Sequence, residues 1–409
     1  MKNEENHEEQ REEQEFKNLQ EEKAALTFKQ RIQIKTRKES DKKPKMIWII
    51  VVSVLLCAAL TASQLLYTKI PAPGIYSAEN EYVQMTFLGE TMMGRDMQAF
   101  IDKNGASSLF KKTKAFWKNS NYVFTNLNCA VLTSKSKEYY EFEKPVHLCT
   151  YKSSVKAMVK AGIDVIAYGN DHCYDYGKNA YLSSIKWFEE SDYKFSGFFD
   201  KTGDVLTNKS QQKNIYTTLR FLHNDKSIGF LSITDKFYNR GISYGVLTTG
   251  NPEIYNYVNN SRKENDLTVV YMNWGEEYSA TVTDRQTEVA HRLIESGADI
   301  VIGSFPKVVQ PMEFYKDGVV FYSLGNYITD ESNSLARSGI MVQYNEAQDG
   351  SSSFEVLPIR INGGVPQPAS AEFYLNSITK TLVSKIPSEK YIIANDGRII
   401  IKFKGGVNG

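Results

Sequence analysis

The sequence predicts an α/β fold: a largely parallel sheet with helices on both faces, preceded by one transmembrane helix. Three observations carry this. Apolar runs of strand length alternate with helix-length periodic segments between residues 82 and 345, the pattern of repeated strand–helix–strand units. Several of those strands end in polar turns rich in Asn, Asp and Gly, as the carboxyl ends of parallel strands do where open sheets place their chemistry. Ahead of them, Met46 to Tyr67 is uncharged over 22 residues, enough to cross a hydrocarbon core of roughly 30 Å.

Residues 1–45 form a charged tail, rich in Glu and Gln up to residue 22 and basic from Lys23 to Lys45, where nine Lys and Arg face two acidic residues. Only Lys69 is charged between Thr68 and Ser77. The excess of positive charge before the span places the N-terminus in the cytoplasm and the rest of the chain outside. Trp48 and Tyr67 stand at the two ends of the span, where interfacial aromatics belong. The preceding 45 residues are too long for the charged region of an ordinary signal peptide. Residues 68–81, with Ile70-Pro-Ala-Pro-Gly74, read as a stiff linker.

In the outer part, strands are expected at Tyr82–Gly89, Tyr122–Leu127, Ile163–Tyr168 and Tyr193–Phe199. Helices are expected at Ser107–Lys118, at Ser153–Ala161 ended by Gly162, and at Lys178–Glu190. Ile215–His223 and Ser227–Thr234 read as a hairpin turning at Asn224-Asp225. Leu267–Met272, Asp299–Gly303 and Val319–Leu324 are further strands, and Asp284–Ser296 is a helix closed by Gly297. The principal domain covers 82–345, and 346–409 reads as its β-rich extension.

Composition excludes some functions. A net charge of +1 gives no global field for nucleic acid. Cys57, Cys129, Cys149 and Cys173 include no CxxC pair, so a structural zinc site is not expected.

The chemistry-bearing segments lie at strand ends: Gly89-Glu-Thr-Met-Met-Gly-Arg95, Asn126-Leu-Asn-Cys129, Asn170-Asp-His172, Asn273-Trp-Gly-Glu-Glu-Tyr278, and Gly303-Ser-Phe-Pro-Lys-Val-Val-Gln310 followed by Ser323-Leu-Gly-Asn326. In a parallel sheet these loops share one rim. His172 is suited to proton transfer near neutral pH, with Asp171 or Glu90 as its partner. Arg95 and Lys307 could receive carboxylates, and Asn128, Asn170, Asn273, Glu277, Gln310 and Asn326 could contact a polar substrate. The plainer readings are a turn histidine bonded to Asp175 or backbone, a solvated Glu90, an exposed Lys307, and asparagines that brace their own turns.

The ordered set of motifs, with Gly297-Ala-Asp299 before Ile302-Gly303, resembles the CapA/PgsA family of capsule-synthesis proteins over about residues 82–345. The resemblance implies a metallophosphatase-like α/β fold and a role in making capsule or poly-γ-glutamate. It also implies membrane-embedded polymer synthase subunits as partners and an anionic polymer as ligand. Asn170, His172, Asp175, Gly177, Trp274, Gly275, Glu277, Pro306, Gln310, Gly325 and Asn326 match the family pattern. Glu90 stands where the family has Asp, Asn128 where it has Glu, Asp171 where it has a second Asn, Asn273 where it has His, and Phe305 and Lys307 where it has the two His of a His-Pro-His element.

Those departures remove imidazole ligands, and Lys307 would repel a cation. No cofactor is expected; any ion would be hard and oxygen-ligated, such as Mg²⁺, Ca²⁺ or Mn²⁺, on Glu90 and Asp171. The leading expectation is a single-pass cell-membrane protein whose outer domain binds or guides polymer. Its rivals are a metallophosphatase-like hydrolase or transferase of the cell envelope, and a degenerate scaffold of a membrane complex.

Overall fold

A computed structural model describes residues 43–66, 82–133, 144–199, 219–236 and 245–404, with three isolated positions in the tail. The linker, most of the charged tail and the start of the expected hairpin at Ile215 lie outside the described residues. The chain divides into two units, Met1–Thr68 and Lys69–Gly409. In the first unit a helix, Lys43–Leu66, contains the expected span up to Leu66, Tyr67 lying outside the described residues, and its apolar side chains from Ile47 to Leu56 are exposed. Among the described residues, whose side chains in this helix run from 47 to 58, no helix is long and apolar enough to cross a membrane.

The second unit is built on two sheets. The larger has ten strands, and its centre is the strand Val83–Thr91. On one side Val83–Thr91 pairs in parallel with Tyr122–Leu127, then Val165–Ala167 and Lys194–Ser196 follow in parallel. On the other side it pairs antiparallel with Ser338–Glu346, which pairs antiparallel with Ser352–Asn362. The expectation of a largely parallel sheet is therefore corrected: this sheet is mixed. The physical reason is the C-terminal segment, where Ser338–Glu346, Ser352–Asn362 and Val365–Pro368 follow one another through short turns with no crossover helix, and such connections give antiparallel pairs.

The second sheet runs in the order Met312–Tyr315, Gly318–Phe321, Ile300–Ser304, Leu267–Asn273, Lys226–Thr234, Leu219–His223. Its four inner strands are parallel and its two outer strands close antiparallel hairpins. Asn224 and Asp225 turn one hairpin with φ of 46° and 65°, a conformation short polar side chains tolerate.

The two sheets face each other. One core joins Met85, Phe87, Phe124 and Val165 of the first sheet to Phe230, Val269, Tyr271 and Ile302 of the second. Phe124 stacks on Phe87 and tilts against Phe230, each with ring centroids 4.9 Å apart. Helices cover both outer faces. Lys152–Ala161 and Gly177–Glu190 pack on the first sheet, and Ile254–Glu264 and Asp284–Glu295 on the second. Because both sheets are covered on two faces, their strands read as continuous apolar runs.

The expected helix Ser107–Lys118 is broken into a 3₁₀ turn, Ala106–Leu109, and one helical turn, Lys114–Trp117. Between them the β-branched Thr113 is buried with its hydroxyl 2.7 Å from that of Tyr327, a tertiary contact that overrides helix continuity.

Candidate functional site

The site begins with a β-bulge. Along Val83–Thr91, Phe87 lies opposite Phe124 but Glu90 lies opposite Asn126, so one extra residue is accommodated at Leu88–Gly89. A bulge reverses the alternation of side chains. It returns Glu90 to the face of Phe87, which looks toward the second sheet. Gly89 is required there, because a Cβ would sit 2.3 Å from the carbonyl oxygen of Gly325. The hydroxyl of Tyr271, from the second sheet, donates to the carbonyl of Leu88 at 2.6 Å and ties the bulge across the interface.

Two further side chains, Asn126 and Asn273, close the gap between sheets, and Asn170 braces two strand ends of the first sheet. Asn126 Nδ2 donates to Ser304 Oγ at 3.0 Å, and Asn170 Nδ2 donates to Asn126 Oδ1 and to the carbonyl of Leu127, both at 2.9 Å. Asn273 Nδ2 donates to Asp171 Oδ1 at 3.1 Å, while Thr234 Oγ1 donates to Asn273 Oδ1 at 2.9 Å. The amide side chains are thus cross-braces between strand ends. Asn170 also accepts from the backbone N–H of His172 at 3.0 Å, an Asx turn that fixes the histidine.

His172 is buried between two carboxylates. Its Nε2 is 3.0 Å from Asp171 Oδ2 and its Nδ1 is 2.5 Å from Asp175 Oδ2. Lys144 completes the chain, donating to Asp175 Oδ1 at 2.6 Å and to the carbonyl of Asp171 at 2.7 Å, with its Nζ 3.1 Å from His172 Nδ1. Asp175 also accepts from the backbone N–H of Leu148 at 2.7 Å. A neutral imidazole can donate to one of the two carboxylates and a protonated ring to both.

Glu90, Asp171 and Lys307 form the electrostatic centre. Burial pushes the Glu90 carboxyl from its ordinary 4.5 up to about 7; Asp171 adds to the rise, and Lys307, Asn128 and His172 pull against it. Glu90 Oε2 and both amide atoms of Asn128 are buried polar atoms with no fully formed hydrogen bond. Burial opposes the charge on Lys307, yet the carboxylates of Glu90 and Glu277 outweigh it and its pKa rises. Lys307 Nζ lies 2.9 Å from Glu277 Oε1 and 3.7 Å from Glu331 Oε1. Its side chain is only 13 % exposed.

The backbone beneath it is strained. Phe305 has φ of 93° and Lys307 has φ of 61°, and a bulky residue with positive φ costs of order 1–3 kcal/mol. Phe305 is buried, and the ammonium of Lys236 lies over its ring at 5.4 Å. Such strain persists only where surrounding packing imposes it.

The strand ends bring Glu90, Asn128, Asn170, Asp171, His172, Asn273 and Lys307 into one constellation. Arg95 sits at its rim, paired with Asp330 and 3.7 Å from Glu331. Glu277 is a rim carboxylate through Lys307. Gln310 faces away: it accepts from Gln286 at 2.8 Å and donates to the carbonyls of Ser279 and Thr281. Gln286 in turn belongs to the capping box Thr283-x-x-Gln286 that starts its helix. Asn326 lies beside Glu90 in the strand register and donates to the carbonyl of Ala336 at 2.9 Å. Trp274 Nε1 donates to the carbonyl of Tyr322 at 2.8 Å in the core of the second sheet.

Sequence reasoning missed Lys144. It lies in an irregular segment outside every strand-end motif, and only its position N-terminal to a half-buried strand, Cys149–Tyr151, hints at the site. Cys129 and Cys173 are close by but buried, which pushes both thiols well up and leaves them poor nucleophiles.

The metallophosphatase-like fold that the family resemblance implies would put metal at this rim. The donors do not fit that role well. Among the described residues, no three His, Cys, Asp or Glu side chains converge to hold an ion. Glu90 and Asp171 would be the ligands, and an ammonium already faces Glu90.

The family model for "Bacterial capsule synthesis protein PGA_cap" matches residues 84–331. The chain is 31 % identical over 389 residues to the capsule biosynthesis protein CapA of Bacillus anthracis, covering 92 % of this chain and 91 % of that protein. It is 30 % identical over 354 residues to the PGA biosynthesis protein CapA of Bacillus subtilis, covering 86 % and 90 %. A shorter match, 27 % over 130 residues, links it to a probable polyglutamine synthesis accessory protein of Mycobacterium tuberculosis, covering 29 % and 34 %. Motif order, strand-end placement and near full-length similarity agree, and the chain belongs to the bacterial PGA_cap capsule-synthesis family.

Proposed function

We propose that this protein serves the synthesis or export of an anionic capsule polymer of the poly-γ-glutamate class. In this reading the helix Lys43–Leu66 anchors it in the cell membrane, with the N-terminus inside and the sheet domain outside, beside membrane-embedded synthase subunits. The observation that carries the reading is the similarity to two CapA proteins over 91 % and 90 % of their length. The basic run before the helix supports the orientation. The rim supports a carboxylate-rich ligand: Arg95 and Lys307 share Glu331, and Glu277 is 42 % exposed. A glutamyl carboxylate of the polymer would exchange with these side-chain carboxylates. The test is surface polymer in a strain lacking the gene, complemented with wild type or with Arg95→Ala. Loss on deletion, with restoration by wild type and less by Arg95→Ala, supports the reading; unchanged polymer on deletion overturns it.

A second reading rests on the buried acid–base group. Glu90 near neutral pKa and His172 between Asp171 and Asp175 are the kind of arrangement that hydrolases and transferases use. The purified protein would then turn over phosphoester or γ-peptide substrates, and His172→Ala would abolish turnover; activity untouched by that substitution removes this mechanism.

A further inference from the structure

The fold's implied metal and the donors present disagree, and the disagreement has a definite form. Two ammonium groups stand among the carboxylates at the strand ends. Lys307 sits on the Glu90 side, 2.9 Å from Glu277 and 3.7 Å from Glu331. Lys144 sits on the opposite side, 2.6 Å from Asp175 and 2.7 Å from the carbonyl of Asp171. Both side chains are only 13 % exposed. The loop that carries Lys307 adopts positive φ at both 305 and 307, and that backbone course delivers the ammonium inward. Buried carboxylates need compensating charge; Lys307 supplies it beside Glu90 and Lys144 at Asp175, while the Asp171 carboxylate is held by His172 and Asn273.

We infer that Lys307 and Lys144 are built-in cations that take the electrostatic place of bound metal, so that the strand-end centre of this protein is complete without a divalent ion. A cation entering beside Glu90 would meet the Lys307 ammonium and would have to break its pairing with Glu277. Removing that ammonium leaves Glu90, Asp171 and the oxygen of Asn128 as an oxygen-rich set of the type that hard divalent cations accept. Lys307 therefore keeps metal out as well as holding the acidic rim together.

The test uses the full-length protein in detergent and Mn²⁺ alone as the probe, read by the electron spin resonance of free Mn²⁺ and by thermal midpoints with Mn²⁺ or EDTA. Wild type and Lys307→Arg are expected to take up no saturable Mn²⁺ and to keep their midpoints in EDTA. Lys307→Met is expected to gain Mn²⁺ affinity by roughly tenfold or more, about 1.4 kcal/mol, and to lose the gain when combined with Glu90→Gln. If Lys307→Met does not fold alone, Mn²⁺ present during refolding should restore its near-ultraviolet circular dichroism; no restoration counts against the inference. Wild type that holds Mn²⁺ and melts lower in EDTA overturns it, as does folded Lys307→Met that binds Mn²⁺ no better than wild type. Neither outcome bears on polymer production, so this test and that of the proposed function fail separately.

Discussion

Nδ1 of His172 lies 2.5 Å from Oδ2 of Asp175, three residues further along the same turn. That carboxylate also binds Lys144 and the backbone N–H of Leu148. One buried carboxylate therefore holds an imidazole, an ammonium and a loop in fixed relation.

Asp175→Ala should destabilise the domain by about 3 kcal/mol, since breaking a buried ion pair leaves an uncompensated charge. Urea unfolding of the purified protein measures this. A loss below about 1 kcal/mol, the worth of an exposed pair, would show that solvent reaches the site.

Glu90 sets a pH dependence. Its folded carboxyl titrates at about 7 against an ordinary 4.5. The folded state therefore holds a proton that the unfolded chain releases between those values. The stability associated with that proton is fully present below pH 4.5, falls as pH rises, and is gone above about 7. The displacement corresponds to roughly 3 kcal/mol. Glu90→Gln should flatten this decline. Midpoints of thermal unfolding followed from pH 4.5 to 8 in both proteins check it, and parallel curves would refute the assignment to Glu90.

Gly303 allows the chain that follows Gly318–Phe321 to pass close to Ile300–Ser304 within the second sheet. A Cβ there would lie 1.9 Å from the carbonyl oxygen of Tyr322 and 2.6 Å from Trp274 Nε1. The obstacle is backbone, so Gly303→Ala should cost more than about 3 kcal/mol or prevent folding. Gly105→Ala, with nothing near its Cβ but φ of 77° and ψ of 143°, a region essentially reserved for glycine, should cost about 1–3 kcal/mol from backbone strain alone. Yields of soluble protein and urea midpoints separate the two.

Phe305 tests strain against packing. Phe305→Gly would relieve about 1–3 kcal/mol of backbone strain and forfeit about 3–5 kcal/mol of buried aromatic packing. The packing loss is larger, so net destabilisation of about 2 kcal/mol is expected, read by thermal unfolding. A more stable variant would mean that strain governs this turn.

Much of the fold was legible because its parallel strands are buried on both faces and leave plain apolar runs. Tyr122–Leu127 is found at the residues expected, and Gly162 ends its helix in the left-handed conformation with φ of 104°. The helices Asp96–Asn104 and Ile254–Glu264 were not legible, since few apolar residues mark their buried faces, and Glu372–Leu382, though Leu375, Ile378 and Leu382 line its buried face, lies in a segment whose pattern reads as mostly β. The division into two sheets was hidden too, because a strand's pattern does not say which neighbour it pairs with. In the site, Glu90, the Asn170–His172 turn and Asn273 were legible from their places at strand ends. Lys144 was not, because loop lysines are ordinarily solvated. The inward turn of Glu90 depends on a bulge, which shows only in the register between two strands.

The tie between Tyr271 and the carbonyl of Leu88 has a consequence for when the polar centre can exist. Its cross-links run from one sheet to the other, between residues as far apart in the chain as 88 and 271 or 126 and 304. Such distant closures come late in folding. A nascent chain can finish either sheet and still lack the centre, which arises only when the halves dock. Anything that later slides one sheet along the other would pull these braces apart together, so the centre doubles as a gauge of whether the two halves remain in register.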